Sequence, residues 1–307
     1  MKKLLVPFIL MLLIISACSS NETSNKETKS STEEKKSETI TYQSENGPVE
    51  VPADPQRIVL LSGFAGNVLA LDGKIAGADV WSKSNPTYKD ALKDVPEVSE
   101  ENLESIIEAE PDLIIALSTV KNIDKIKKIA PTVTFTWGKL GYLDQHVEIG
   151  KLLNKEKEAQ AWVNDFKQRA EAAGKEIKEK IGEDATVSVI ETYDKQLYVF
   201  GNNWARGTEI LYQAMGLNMP EKVKEKALEP GYYTISAEVL PEFAGDYIIL
   251  SKYDGADVSF QKTETYKNIP AVKNNRVFEL NGNTASFIDP ITLDNQLEFF
   301  KKSFLEN

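Results

Sequence analysis

The 307-residue sequence has one cysteine, one histidine and only four arginines. The lone cysteine, Cys18, leaves no intramolecular disulfide, so an exported domain must be held together by its apolar core. The lone histidine, His146, leaves no histidine cluster, and a directly bound zinc or manganese has no usual ligand set. His146 lies on a Lys/Glu-rich helical segment and reads as a satisfied core or surface histidine rather than a ligand. Basic residues are also short: 36 Lys and Arg stand against 47 Asp and Glu, for a net charge of -11. That balance argues against nucleic acid or an anionic membrane surface as partner. There is no phosphate-binding glycine motif, since "SGFAGN" lacks the spacing. Among enzyme chemistries, only a carboxylate pair remains open.

What is present begins with an address. Lys2 and Lys3 precede an uncharged run from Leu4 to Ala17. This run is shorter than the ~20 residues of a membrane-spanning helix and fits the apolar part of an export signal, residues 1–17. It ends in Ile15-Ser16-Ala17-Cys18, which looks like a bacterial lipobox, with Cys18 as the lipidated residue. Residues 19–38 contain no apolar side chain. With Cys18 they read as a disordered tether, 18–38, because such a segment cannot bury enough surface to fold.

From Thr39 the pattern changes. "TITYQSENGPVEVP" predicts a hairpin around Asn46-Gly47. Strands are expected at 57–62, 74–81, 111–118 and 131–137, alternating with short helices. Several strands are continuous apolar runs, as in a parallel sheet covered on both faces. Residues 142–182 are helical with a break near Asn154, and the stretch after it makes one long helix. Ala159, Trp162, Val163, Phe166, Ala170, Ala173 and Ile177 form its apolar stripe, which makes Trp162 a core residue. Strands resume at "TVSVIETY", "QLYVF", "DYIILS" and "RVFEL". The helix "TEILYQAMG" is closed by Gly216, and an amphipathic helix ends the chain. The fold class is therefore α/β, with two Rossmann-like α/β lobes joined by a single long α-helix and a ligand cleft between the lobes. The N-terminal lobe spans 39–141, the helical connector 142–182 and the C-terminal lobe 183–307.

The halves echo each other. "NLESIIEAEPDLIIALS" and "SAEVLPEFAGDYIILS" each carry a glutamate, Glu104 or Glu238, eight residues before an aspartate, Asp112 or Asp246, that opens a strand. Both glutamates are expected in the first turn of a helix. Two lobes, a lipid anchor and missing catalytic groups describe a substrate-binding protein of an ATP-driven importer, with its ligand between the lobes.

Particular residues then sharpen the class. "NNWARGTEILYQAMGL", with "PQRIVLLS", "EPDLIIA", "KKIAPTV", "AGDYIIL" and "DPITLD", resembles the ferric hydroxamate siderophore-binding lipoproteins from about Arg57 to the C-terminus. The resemblance implies that Trp204 and Arg206 contact the chelate, with Tyr198 before that loop and Trp137 before the long helix. Some members carry a tryptophan shortly before the late D-P-x-T motif. Here Ser286 stands there, with Phe287 beside it as the nearest aromatic, so that part of the pocket differs in shape. The resemblance also implies that Glu104 and Glu238 dock on an ABC permease dimer served by its ATPase. The protein would then be a monomer held on the extracytoplasmic face of the cell membrane by its lipid.

The loop chemistry agrees. A hydroxamate siderophore saturates ferric iron, so the protein supplies no metal ligand and needs no cofactor of its own. It grips the outside of the complex, where arginine offers a rigid fork of five donors and tryptophan a flat apolar wall. Being two apart, Trp204 and Arg206 point the same way if the segment is extended. Arg57, Arg169 and Arg276 have no clear aim at the cleft. One cleft arginine suits a neutral or cationic ferric trihydroxamate better than a tris-catecholate with about three negative charges. The alternatives are another large chelate, such as cobalamin, haem or a catecholate siderophore, or an exported carboxylate-dependent hydrolase. Haem would require an axial ligand from His146 or a methionine.

Overall fold

A computed structural model describes residues 38–306. The signal peptide at 1–17, Cys18 and all but the last residue of the tether lie outside the described residues. Two strands, β1 (Thr39–Ser44) and β2 (Gly47–Pro52), pair as the expected hairpin, turning at Glu45 and Asn46. A four-stranded parallel sheet follows in the order β4-β3-β5-β6, from β3 (Ile58–Leu60), β4 (Ile75–Ala78), β5 (Leu113–Leu117) and β6 (Thr132–Phe135). Helices α1 (Ala65–Leu69), α2 (Val80–Ser84), α3 (Leu103–Glu108) and α4 (Ile123–Ile126) intervene. The strands are apolar on both faces because both are covered. Ile58, Leu60, Leu113 and Ile115 enter one core cluster, while Val59, Leu61, Ile114 and Ala116 enter another.

The strand expected at 74–81 stops at Ala78. Asp79 ends it by capping α2: its carboxylate accepts from the Ser82 N–H at 3.0 Å, the Ser82 hydroxyl at 2.8 Å and the Gly63 N–H at 3.0 Å. Val80 and Trp81 are consequently helical and exposed.

Helices α5 (Tyr142–Leu152) and α6 (Glu156–Ile181) are separated at Asn154, whose φ of 54° is left-handed. Asparagine tolerates that conformation, and the Lys155 N–H closes back onto the Gly150 carbonyl at 2.7 Å. The 26-residue α6 joins two cores. Its Ala159 packs in the first lobe, while Val163, Phe166, Ala170, Ala173 and Ile177 pack in the second. Trp162 is half-buried, stacked on Phe166, and donates to Asp294 at 3.0 Å.

The second sheet has the order β11-β10-β7-β8-β9, from β7 (Val187–Tyr193), β8 (Gln196–Phe200), β9 (Tyr232–Ile235), β10 (Tyr247–Lys252) and β11 (Val277–Asn281). It is mixed rather than parallel, because β8 runs antiparallel to both β7 and β9. A two-residue turn at Asp194 and Lys195, with φ of 46° and 63°, connects β7 to β8 without the usual glycine. The short β9, "YYTI", follows Pro230-Gly231 and adds an edge strand that the sequence pattern does not announce.

The repeated unit has a structural counterpart. Asp112 leads into β5 and accepts from the N–H groups of Gln56 and Arg57, at 2.6 and 2.9 Å, at the entrance to β3. Asp246 leads into β10 and accepts from the N–H and hydroxyl of Thr186, at 2.8 and 2.9 Å, at the entrance to β7. Each aspartate thus fixes the start of the neighbouring parallel strand in its own lobe. The terminal helix, Pro290–Leu305, ties the lobes together. Its Leu293, Leu297, Phe300 and Phe304 fill the second core, while its cap, Asp289, accepts a hydrogen bond from the Tyr88 hydroxyl of the first lobe.

Candidate functional site

Between the lobes lie two hollows of about 520 and 320 Å³ that share Trp204 as a wall. The first lobe supplies Trp137, just past β6, and Trp81, from α2. The second supplies the loop from Asn202 to Arg206 and one face of its sheet. The edges of Trp137 and Trp204 meet across the cleft, with ring centroids 6.3 Å apart.

Strand register builds the sheet side. Glu191 of β7 lies opposite Tyr198 of β8, and Phe200 lies opposite Tyr232 of β9. These side chains share a face, because residues two apart on a strand point the same way. Tyr232 packs against Trp204 at 5.2 Å and Tyr198 at 6.0 Å, and Tyr193 meets Tyr253 at 5.4 Å. The smaller hollow is therefore an aromatic cage with a single ion pair in it.

The loop carrying Trp204 is not extended. Ala205, Arg206 and Gly207 all have left-handed φ, at 58°, 57° and 81°. Two non-glycine residues in that region cost energy, and the surroundings hold them there. The Arg206 N–H donates to the Ala285 carbonyl at 2.7 Å, the Trp204 N–H to the Thr208 hydroxyl at 3.0 Å, and the Ala205 N–H to the Glu209 carboxylate at 2.9 Å. A Cβ at Gly207 would overlap the Phe300 ring, and one at Gly231 would overlap the Trp204 indole. The helix expected from Thr208 is a π-helix, Glu209–Ala214, a form frequent at functional sites. The Met215 N–H reaches the Ile210 carbonyl at 2.8 Å.

Arg206 is held from behind. Its Nε donates to Glu191 Oε2 at 2.9 Å and its Nη2 to Glu191 Oε1 at 3.0 Å. Nη1 donates to the Trp204 carbonyl at 3.2 Å, and Nη2 makes a long contact of 3.4 Å to the Tyr253 hydroxyl. The guanidinium also lies over the Phe200 ring, 5.0 Å from its centroid. Burial alone would lower the Arg206 pKa, but the hydrogen bonds and charge of Glu191 outweigh it and raise the pKa. Four of the five donors are thus engaged by the protein, leaving one Nη1 proton and the weak Tyr253 bond to spare. The fork expected to face a ligand mostly faces a carboxylate, and that carboxylate is buried rather than on the surface.

The remaining expected residues divide. Tyr198 and Trp137 line the cleft. Phe287 is only 5% exposed and stands behind Trp81 at 5.5 Å and against Tyr88 at 5.7 Å, so it supports the wall more than it forms it. Ser286 bonds to the Tyr253 hydroxyl at 2.6 Å. Arg57, Arg169 and Arg276 are engaged elsewhere, with the Glu110 carbonyl, with Asp165 and Asp294, and over the Tyr247 ring. Glu104 and Glu238 are exposed, away from the cleft lining. Glu104 is in the first turn of α3, but Glu238 sits in the turn ahead of the short helix Leu240–Phe243.

His146 is a core residue: its Nδ1 lies 3.1 Å from Asn67 Oδ1, its ring packs edge-on to Trp162, and its buried Nε2 has no partner. Burial pushes its pKa down to about 4.

Sequence reasoning passes over Trp81, Glu191, Tyr232 and Tyr253. A signal existed for one of them, since Glu191 interrupts the otherwise uncharged strand "TVSVIETY".

Residues 62–284 match the family described as periplasmic binding protein. The chain is 37% identical to the iron(3+)-hydroxamate-binding protein FhuD of Bacillus subtilis (strain 168), over 98% of each chain. The chain belongs to the periplasmic binding protein family. Among solved structures, the FhuD protein from S. pseudintermedius matches this periplasmic binding protein with a TM-score of 0.80 and 35% identity, covering 88% of this chain and 99% of that one. FhuD2 from Staphylococcus aureus with bound ferrioxamine B matches with a TM-score of 0.78 and 33% identity, covering 82% of this chain and 99% of that one.

In the larger hollow of this binding protein, Glu209 is the one carboxylate, and burial raises its pKa against the opposing hydrogen bonds from Ala205 and Thr208. Across both hollows the acidic and basic side chains are Glu209, Glu191 and Arg206. Such a cleft presents flat apolar walls and a few amide and hydroxyl groups, with no surplus positive charge.

Proposed function

We propose that this chain captures ferric hydroxamate siderophores and delivers them to an ABC permease for iron uptake, without catalysing a reaction. The observation that carries this reading is the aromatic cleft whose only guanidinium is already paired with Glu191. Hollows of this size fall in the range of small-molecule sites. Their lack of net positive charge suits a neutral or cationic iron complex. Trp204, Trp137, Tyr198 and Trp81 form the walls, and Arg206 offers its remaining donor to an outward-facing carbonyl of the chelate. Phe287 backs Trp81. Iron enters only inside the siderophore and the protein needs no cofactor. A ferric tris-catecholate would meet no cluster of basic groups in this cleft. Haem would find no axial histidine, because His146 is 1% exposed and packed in the core.

The protein works as a monomer outside the cytoplasmic membrane, exported by residues 1–17 and anchored by lipid on Cys18. Among the described residues no helix is long and apolar enough to cross a membrane. The working units are a lobe at 39–141, a helical connector at 142–182 and a lobe at 183–307. Glu104 and Glu238 are the contacts for the two permease subunits.

Tryptophan fluorescence tests the reading, since three of the four tryptophans line the cleft. A ferric trihydroxamate is expected to quench it, while haem, cobalamin and a ferric tris-catecholate at the same concentration are not. Equal quenching by all four would sink the assignment. Trp81→Ala is expected to weaken trihydroxamate binding by about 1.5–3 kcal/mol, roughly tenfold to a hundredfold, through lost apolar contact. Trp81 is already 47% exposed, so the variant's melting temperature should stay near the parental one. Parental affinity in that variant would remove Trp81 from the site.

A further inference from the structure

Glu191 occupies a costly position. On β7 its same-face predecessors, Val187 and Val189, are fully buried core residues, and Glu191 itself is only 3% exposed. Its oxygens are committed: Oε1 accepts from Arg206 Nη2, and Oε2 accepts from Arg206 Nε and from the Ser251 hydroxyl at 2.8 Å. Register explains the third partner, because Ser251 of β10 lies directly beside Glu191. A carboxylate so placed does two things. It fixes the plane of the guanidinium, turning the Nε edge inward. It also cancels the guanidinium charge at hydrogen-bond distance, inside a hollow where no other side chain carries a fixed charge.

We infer that Glu191 is a positioning residue that sets the charge selectivity of the cleft, pairing the Arg206 cation so that the couple offers the ligand a hydrogen-bond donor without net charge. This inference rests on the reading that an iron chelate occupies the cleft. With Glu191 in place, neutral and cationic complexes are accepted alike and anionic ones gain nothing from Arg206. Without it, Arg206 presents a full positive charge to the ligand. At several ångströms and an effective dielectric of about 20, that charge shifts the affinity of a multiply charged anion by on the order of tenfold or more.

The test compares three ferric chelates of similar size, one cationic trihydroxamate, one neutral trihydroxamate and one anionic tris-catecholate, titrated by fluorescence quenching at low and at physiological salt. In the Glu191→Gln protein the anion is expected to gain at least tenfold relative to the cation, and the gain should shrink with salt. Ser251→Ala keeps both charges and loosens only the carboxylate, so it should weaken all three complexes by a common factor. If Glu191→Gln also changes all three equally, Glu191 is merely structural and the inference falls. Should that variant not fold, the parent protein still decides: an anionic chelate bound more tightly than the neutral one by about tenfold or more would show an uncancelled Arg206 charge and overturn the charge role. Failure of the parent to bind any trihydroxamate would instead defeat the functional reading.

Discussion

Arg206→Ala is expected to abolish chelate binding and, in addition, to destabilise the folded protein by about 3–5 kcal/mol. The second effect follows from what the substitution leaves behind. Glu191 is 3% exposed, and its oxygens would keep only Ser251 as a polar partner among the contacts seen here. An unpaired buried carboxylate must either keep a poorly solvated charge or take up a proton. Arg206→Lys keeps the charge but cannot reproduce two parallel N–H donors, so it should fall between parent and alanine variant in both stability and affinity. A matched pair, Arg206→Met with Glu191→Gln, removes the stranded charge and should recover much of the lost stability without recovering binding. Urea unfolding followed by far-UV circular dichroism, with fluorescence titration alongside, reads both quantities. A parental urea midpoint for Arg206→Ala would mean that the ion pair contributes nothing to the fold.

This coupling between site and stability shows where sequence reasoning reaches and where it stops. The alternation of apolar runs and helices was enough for two sheets, since each buried strand feeds cores on both of its faces. The 26-residue α6 was legible from its stripe and from Asn154, and Trp204 and Arg206 stood out as large residues in a glycine- and asparagine-rich turn. What stayed hidden depends on register and on backbone conformation. Glu191 meets Arg206 only because β7 pairs with β8 and β10 as it does. The left-handed Ala205 and Arg206 carry no local mark, because their strain is balanced by Ala285, Thr208 and Glu209. The antiparallel β8 and the edge strand β9 escape for a similar reason: the Asp194-Lys195 turn lacks the usual glycine. Trp81 reads as the end of a strand until Asp79 is seen to cap a helix.

The other large effect concerns a surface remote from the cleft lining. Cells carrying Glu104→Ala with Glu238→Ala are expected to lose siderophore-dependent iron uptake, although the purified protein binds its chelate normally. Each glutamate precedes by eight residues an aspartate that does the same work in its own lobe, Asp112 bracing β3 and Asp246 bracing β7. The two glutamates therefore occupy corresponding corners of two similar units, the arrangement needed to meet two equivalent permease subunits. Their local roles are too small to explain the repeat. A carboxylate in the first turn of α3 gains at most a few tenths to 1 kcal/mol from the helix dipole. Glu238 precedes its helix, and its pKa is lowered mainly by a hydrogen bond with Ser236. Both are exposed acidic groups for which no salt bridge forms within the described residues. They remain free to pair with cationic groups of a partner, and the pairing should weaken with salt. Each single variant should transport at a reduced rate, and the double variant should approach the level of cells lacking the protein. Radioactive iron uptake, normalised to the amount of protein at the membrane, measures this directly. Parental uptake by the double variant would confine Glu104 to its place in the first turn of α3 and Glu238 to its hydrogen bond with Ser236.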